Sequence, residues 1–262
     1  SPTGVSALLS GVVTVTGLIA LLKVLAVVAW SVTQWGILLL VIATLNIVVG
    51  NLLALAQTEI KRILAYSSIT HIGFILLAVA IGITAGSQLA MRAAILHLFI
   101  HGLMKALAFL VIGALAYANG GDKAKRLVIP DLNGVGGRYP LMAFALVIAL
   151  LSLTGVPLLA GFVSKWQIFI AGVETGDAGM IALMIFVAIN SVFSLAYYLP
   201  IINALNVKDS ESSWQDAPDI PLSMRIPIVL LGLSIVLIGI FPNCLDWLVK
   251  PASISLYANF FA

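Results

Sequence analysis

Charge is scarce in this chain. Of its 262 residues only 9% are Asp, Glu, Lys or Arg, and 62% are hydrophobic. Soluble domains carry about 25% charged residues, and a mean hydropathy of +1.17 lies far outside their range. The shortage excludes a soluble globular fold and points to a polytopic membrane protein. Cysteine is almost absent. Cys244 stands alone, so no disulfide, Cys-based metal site, Cys-x-x-Cys-His haem attachment or iron–sulfur cluster can form within the chain. There is no Walker A loop, GxGxxG, HExxH or GxSxG, so nothing indicates nucleotide-driven transport or redox chemistry of its own. No cofactor and no metal are expected in this chain. The net charge of +3 comes from few residues and forms no basic amphipathic run, which argues against a nucleic-acid partner. The chain opens Ser-Pro-Thr without a positively charged leader. That reads as a start in mid-protein rather than a signal peptide.

Long apolar runs are what the chain has in place of charge. A membrane-spanning helix needs about 20 residues, and seven segments qualify: 4–29, 33–56, 63–85, 88–117, 139–173, 178–206 and 223–248. The fifth is too long for one straight helix and carries Gly155-Val156-Pro157 in its middle. Proline removes a backbone donor and clashes with the preceding turn. The segment reads as one discontinuous helix in two halves around 155–161, with two short spans as the alternative. Breaks of this kind survive in a membrane only where protein or a polar cavity satisfies the freed backbone.

The few charges give an orientation. Lys61 and Arg62 follow segment two, and Lys123, Lys125, Arg126 and Arg138 lie between segments four and five. Two spans separate these loops, so both fall on one side, cytoplasmic by the positive-inside rule. The opposite loops carry Glu174 and Asp177, with Trp30 and Trp35 as interface anchors. Loop 207–222 is acidic, with Asp209, Glu211, Asp216 and Asp219, yet falls on the basic side; acidic residues count little in this rule. Lys61 and Arg62 read as boundary anchors with Glu59 as their partner. Lys23 and Arg92 read as interfacial side chains that snorkel to the outer face.

Against this background His97, His101 and Lys105 stand out. They form an HxxxHxxxK row inside one apolar segment. Four-residue spacing puts all three on one helix face, stacked over roughly 12 Å. A central lysine costs about 2.5 to 3.5 kcal/mol in hydrocarbon, and an intramembrane row of ionisable groups reads by default as an ion or proton path. Histidine suits proton relay, and a desolvated lysine can alternate between charged and neutral states. The alternative is a snorkelling lysine beside two histidines satisfied by interhelical hydrogen bonds; the depth of Lys105, about a dozen residues from either end of its segment, argues against it. Lys165 lies just past the break, where it can pair with free carbonyls. His71 is equally readable as a packed polar residue. Asn46, Asn190 and Ser194 can hydrogen-bond between helices.

Several blocks now align with a known family. Pro2-Thr3-Gly4-Val5-Ser6-Ala7-Leu8-Leu9 resembles a PTPVSALL block. Gln57 to Ser68 resembles QTDIKRxLAYSS. His97-x3-His101-x3-Lys105-Ala106-Leu107 resembles HxxxHxxxKALLF. Gly155-Val156-Pro157 through Gly161-Phe162-Val163-Ser164-Lys165 resembles a GxP…GFxxK block. The chain thus resembles the antiporter-like membrane subunits of respiratory complex I and their relatives in deazaflavin dehydrogenases, membrane-bound hydrogenases and Mrp-type Na+/H+ antiporters. The resemblance implies that the seven segments correspond to the eighth to fourteenth of fourteen spans, with the first half-channel upstream. It implies a proton relay on His97, His101, Lys105 and Lys165. It departs at Ser10–Val15, where the family usually carries a linking Lys or His; this stretch offers Ser10 and Thr14, with Thr16 beside it.

The expectation is an all-α polytopic transmembrane bundle of about seven spans, one discontinuous (139–173), forming a single transmembrane domain over 1–262. The second half-channel would occupy 33–206 and the terminal span 223–248. The function implied is proton translocation as a non-redox subunit of a respiratory quinone oxidoreductase or related complex. Its partners would be other membrane-arm subunits, neighbouring antiporter-like subunits and lipid. The alternatives are an Mrp-type Na+/H+ antiporter subunit and a structural subunit with a degenerate relay. Sodium needs oxygen ligands, and segments three to five offer no buried carboxylate, which leans towards protons. The membrane would be a bacterial or archaeal inner membrane, with mitochondrial and thylakoid membranes as alternatives.

Overall fold

The computed structural model describes residues 11, 13–28, 32–120, 126–207, 214–215 and 217–261. The Pro2–Leu9 block and Ser10, Trp30, Lys123, Lys125, Asp209, Glu211 and Asp216 lie outside the described residues. Nine helices of fourteen residues or more appear among the described residues: α1 Thr14–Val28, α2 Val32–Leu55, α3 Ile60–Ala85, α4 Gln88–Ala118, α5 Pro140–Thr154, α6 Ala160–Val173, α7 Ala178–Asn206, α8 Leu222–Ile240 and α9 Asp246–Phe261. Five are long and apolar enough to cross a membrane: α2, α3, α4, α7 and α8. The all-α membrane bundle expected from the sequence is what the chain forms.

The fifth segment is one helix broken in two. α5 has 15 residues and α6 has 14, each spanning only about 21–23 Å of a roughly 30 Å hydrocarbon core. The break is built by residue chemistry. Gly155 adopts φ +95° and closes α5. Its N–H donates to Ser152 O, and Val156 N–H donates to Leu151 O, the paired bonds of a Schellman motif. Pro157 follows, and Leu158 sits at φ +71°, a strained value for a residue with a Cβ. α6 restarts with Gly161 N–H bonded to Ser152 Oγ at 3.0 Å. From outside, α8 lies against the break through Gly239, where a Cβ would come within 2.2 Å of Leu158 O.

Polarity decides which helices are central. α3 and α4 carry the histidines and Lys105, and their apolar windows are 78% and 67% buried, against 22% for α7 and α8. α3 is pressed onto α2 by small residues. A Cβ on Gly73 would lie 2.8 Å from Ala43 O, and one on Gly50 would lie 2.5 Å from Thr70 Oγ1, the close approach typical of membrane helix pairs.

The two ends of the bundle differ. At one end the loops after α2, α4 and α7 meet. Ile60 N–H donates to Leu127 O, Gly134 N–H donates to Val207 O, and Glu59 pairs with Arg62 at 3.1 Å and Arg126 at 3.7 Å. The described part of the acidic loop is tied in here: Asp219 pairs with Arg138 at 3.0 Å, and Trp214 Nε1 donates to Asp131 O. At the other end Tyr257 hydroxyl donates to Gly86 O.

Four details differ from expectation. Glu59 reaches Arg126 as well as Arg62. Arg92 is not a lone interfacial side chain; it pairs with Asp246 at 2.5 Å. Ser194 bonds within its own helix, to Ser191 O at 2.7 Å. The terminal span ends at Ile240 rather than 248, and a further helix, α9, follows.

Candidate functional site

The four residues singled out by sequence are brought into one interior. His97, His101, Lys105 and Lys165 are at most 3% exposed. α4 aims His97, His101 and Lys105 at α3, and α6 lays Ser164 and Lys165 beside its outer part. Lys105 Nζ donates to Leu64 O at 2.7 Å and to Ser67 Oγ, and Ser67 Oγ donates to the same carbonyl. His71 Nδ1 lies 3.1 Å from His97 Nε2. His97 Nδ1 lies 2.8 Å from Ser164 Oγ. The His71 ring lies near-parallel to both row histidines: edge to edge with His97 along their hydrogen bond, centroids 5.2 Å apart, and 5.3 Å from the His101 centroid. Both ring nitrogens of His101 are buried without a hydrogen-bond partner among the described residues. Next to His101 in sequence, Gly102 faces Gly11 O at the start of the chain's described part, at 3.4 Å from an ideal Cβ.

Lys165 is held by the break. Its Nζ donates to Leu153 O, Thr154 O and Ser191 Oγ, each at 2.9 Å. The Schellman bonds occupy Leu151 O and Ser152 O, so the carbonyls left over at the end of α5 are the ones Lys165 takes. A cation at a helix C-terminus also meets the negative end of the helix dipole. The face of Phe74 completes the site, 4.9 Å from Nζ, within cation–π range.

The run Ser164–His97–His71 has two neutral arrangements. In one, His97 Nδ1–H donates to Ser164 and His71 Nδ1–H donates to His97 Nε2. In the other, the Ser164 hydroxyl donates to His97 Nδ1 and His97 Nε2–H donates to His71 Nδ1. Converting the first into the second shifts the proton in each of the two hydrogen bonds one step towards Ser164, with one proton taken up at His71 Nε2 and one released from the Ser164 hydroxyl. No Asp or Glu is among the buried residues described, and no group of three His, Cys, Asp or Glu among the described residues could hold a metal ion.

Sequence reasoning undervalued His71 and passed over Ser67, Ser164 and Ser191. One signal was present: Ser67-x3-His71 repeats on α3 the four-residue spacing of the row on α4. A second polar cluster joins α2, α3 and α7. Asn51 accepts from Thr70 at 3.2 Å and Tyr197 at 3.0 Å, and donates to the Asn190 side chain at 2.7 Å.

Residues 1–249 match the family model of the NADH:quinone oxidoreductase/Mrp antiporter transmembrane region. The chain belongs to this family. It is 35% identical over 212 residues to NADH-quinone oxidoreductase subunit N of Alkalilimnicola ehrlichii, covering 81% of this chain and 41% of the relative. It is 34% identical over 249 residues to NADH-quinone oxidoreductase subunit N 2 of Solibacter usitatus, covering 93% and 47%. The chain therefore spans less than half the length of these relatives. In fold it is similar to a chain of the Mrp complex from Dietzia sp., with a TM-score of 0.81 and 23% identity over 98% of this chain and 54% of that one. It is also similar to a chain of the membrane-bound sulfane sulfur reductase, an archaeal respiratory membrane complex, with a TM-score of 0.78 and 30% identity over 99% and 52%. Family membership and the apolar helices together make it an integral membrane protein.

Proposed function

We propose that this chain carries protons through a lysine and histidine relay within a membrane subunit of a redox-driven complex. The half-channel comprises residues 33–206. The observation that supports it is the buried run Ser164–His97–His71, with His101 stacked on His71 and Lys105 next on the same face of α4. Lys105 is the central proton-holding group. His97 and His101, joined by His71, pass protons between it and the break. Ordered water completes the path at His101, since buried polar groups without protein partners are commonly satisfied that way. Lys165 is the terminal group, lying on the half of the broken helix that leads to the end opposite the basic loops. A charge on one lysine raises the cost of charge on the other, so occupancy of one site drives release from the other. Quinone and redox groups belong to partner subunits; the chain's direct neighbours are other membrane-arm subunits, antiporter-like ones among them, and lipid.

The absence of a buried carboxylate among the described residues favours protons over sodium, which needs oxygen ligands. The test is proton flux in proteoliposomes containing the intact complex. Lys105→Ala and Lys165→Ala should each lower the flux coupled to electron transfer by about tenfold or more, and replacing sodium with choline should leave it unchanged. A strict sodium requirement would instead support the antiporter reading.

A further inference from the structure

At the end of the bundle opposite the basic loops, α9 folds back onto the start of α4. Asp246 lies between two cations, with Oδ1 2.5 Å from Arg92 Nη2 and Oδ2 2.9 Å from Lys250 Nζ. One carboxylate against two cations leaves one positive charge over. The arginine also keeps a free donor: its Nε is buried with no hydrogen-bond partner among the described residues. Next to it is a cavity of 270 Å3 lined by Gln88, Leu89, Arg92, Lys250, Ser253 and Ile254. Its polar side offers a guanidinium, an ammonium, an amide and a hydroxyl; its other side is aliphatic. Gln88 and Leu89 open α4, whose N-terminal dipole adds positive potential at this spot. Trp247 and Ile254 stand 75% and 61% exposed on the same helix, placed as side chains at a bilayer interface are.

We propose that this cleft binds a phosphate group at the membrane surface. A phosphate offers several oxygens to Arg92 and Lys250 at once, which a single carboxylate already engaged by both does not exhaust. The aliphatic wall of Leu89 and Ile254 suits the glycerol and upper chain of an anionic phospholipid. Bound there, the phosphate ties α9 to α4 across the Arg92–Asp246–Lys250 cluster. The site is independent of the relay and stands or falls without it.

The test uses the chain in neutral detergent, titrated with phosphatidylglycerol, with phosphatidylcholine and with inorganic phosphate, read by equilibrium binding and thermal unfolding. Phosphatidylglycerol should bind more tightly than phosphatidylcholine. Arg92→Gln and Lys250→Gln should each weaken that preference about fivefold, as expected for loss of one basic group at a membrane surface. Asp246→Asn should strengthen it, because it removes the competing carboxylate while Val249, Leu256 and Phe260 still hold α9 in place. Arg225→Gln, at the far end of α8, should leave it unchanged. Displacement of the lipid by inorganic phosphate would show that the phosphate group alone is recognised; failure to displace it would assign the site to lipid. Loss of preference in Arg225→Gln, retention of full preference in Arg92→Gln and Lys250→Gln, or a weaker Asp246→Asn would overturn the proposal. Circular dichroism of each variant guards against misfolding, and Lys250, with a side chain 56% exposed, is the substitution least able to disturb the fold.

Discussion

Lys165 reaches back across the break to Thr154, eleven residues earlier, and its ammonium lies 2.9 Å from that carbonyl. The same side chain therefore ends one helix and belongs to the next. The candidate relay group is also a cap, so its chemistry and the stability of the broken helix are linked.

That link gives separable outcomes. Lys165→Met should remove the donor to Leu153 O and Thr154 O and destabilise the chain by about 1.5–3 kcal/mol, the usual worth of hydrogen bonds to a charged group. Lys165→Arg keeps a cation and should recover much of that stability. Gly155→Ala should cost about 1 kcal/mol or more by forcing a Cβ into the left-handed region, and that Cβ also crowds the retained lysine, at 3.1 Å from Lys165 Cδ. Unfolding in detergent measures all three. Equal stability of Lys165→Met and the unmodified chain would contradict the capping role.

His71 should matter as much as His97. The run from Ser164 passes through His97 to His71, so His71→Ala breaks it as completely as His97→Ala. Coupled proton flux should fall equally in the two variants, and His71→Gln should not restore it, because an amide cannot exchange donor and acceptor roles as imidazole does. Normal flux in His71→Ala would remove that residue from the path.

Asn51 holds three helices through one side chain. Asn51→Leu leaves Thr70, Tyr197 and Asn190 without this partner, and for the buried Thr70 and Tyr197 a group left unsatisfied costs about 1–3 kcal/mol. A lowered unfolding midpoint is expected, with proton flux per folded molecule kept. An unchanged midpoint would show that the cluster contributes little.

The attachment of α9 should depend on pH in the acidic range. The Lys250 hydrogen bond, followed by the charge of Arg92, holds the Asp246 carboxyl below its ordinary value. A carboxylate whose pKa is depressed by folding stabilises the folded form above its unfolded pKa of about 3.9, and the contribution is lost as pH falls through the folded value. The hydrogen-exchange protection of residues 246–261, corrected for the intrinsic pH dependence of amide exchange, should therefore be constant from pH 7 to 5 and fall below about pH 4, and Asp246→Asn should remove that fall. A step near neutral pH would contradict it.

Local pattern made part of this legible. The four-residue spacing put His97, His101 and Lys105 on one face, and Gly155 with Pro157 marked the break, because both are consequences of backbone geometry. What escaped was long-range or against local rule. Arg92 looked like an interfacial side chain because its partner, Asp246, is 154 positions away. α9 is not legible locally, because it carries Pro251, a residue that ordinarily interrupts a helix, inside its own length. Its buried Val249, Ser253, Leu256 and Phe260 form one stripe against the neighbouring helices. His71 gave no strong signal by itself; its importance comes from packing against a row on another helix.

The most direct test of the relay is Lys105→Ala in the intact complex reconstituted into proteoliposomes, with proton flux measured per electron transferred. The account predicts a loss of about tenfold or more, equivalent to at least 1.4 kcal/mol on the transfer barrier, with electron transfer through the complex still measurable when the membrane is uncoupled. Unchanged proton flux per electron in Lys105→Ala would contradict it.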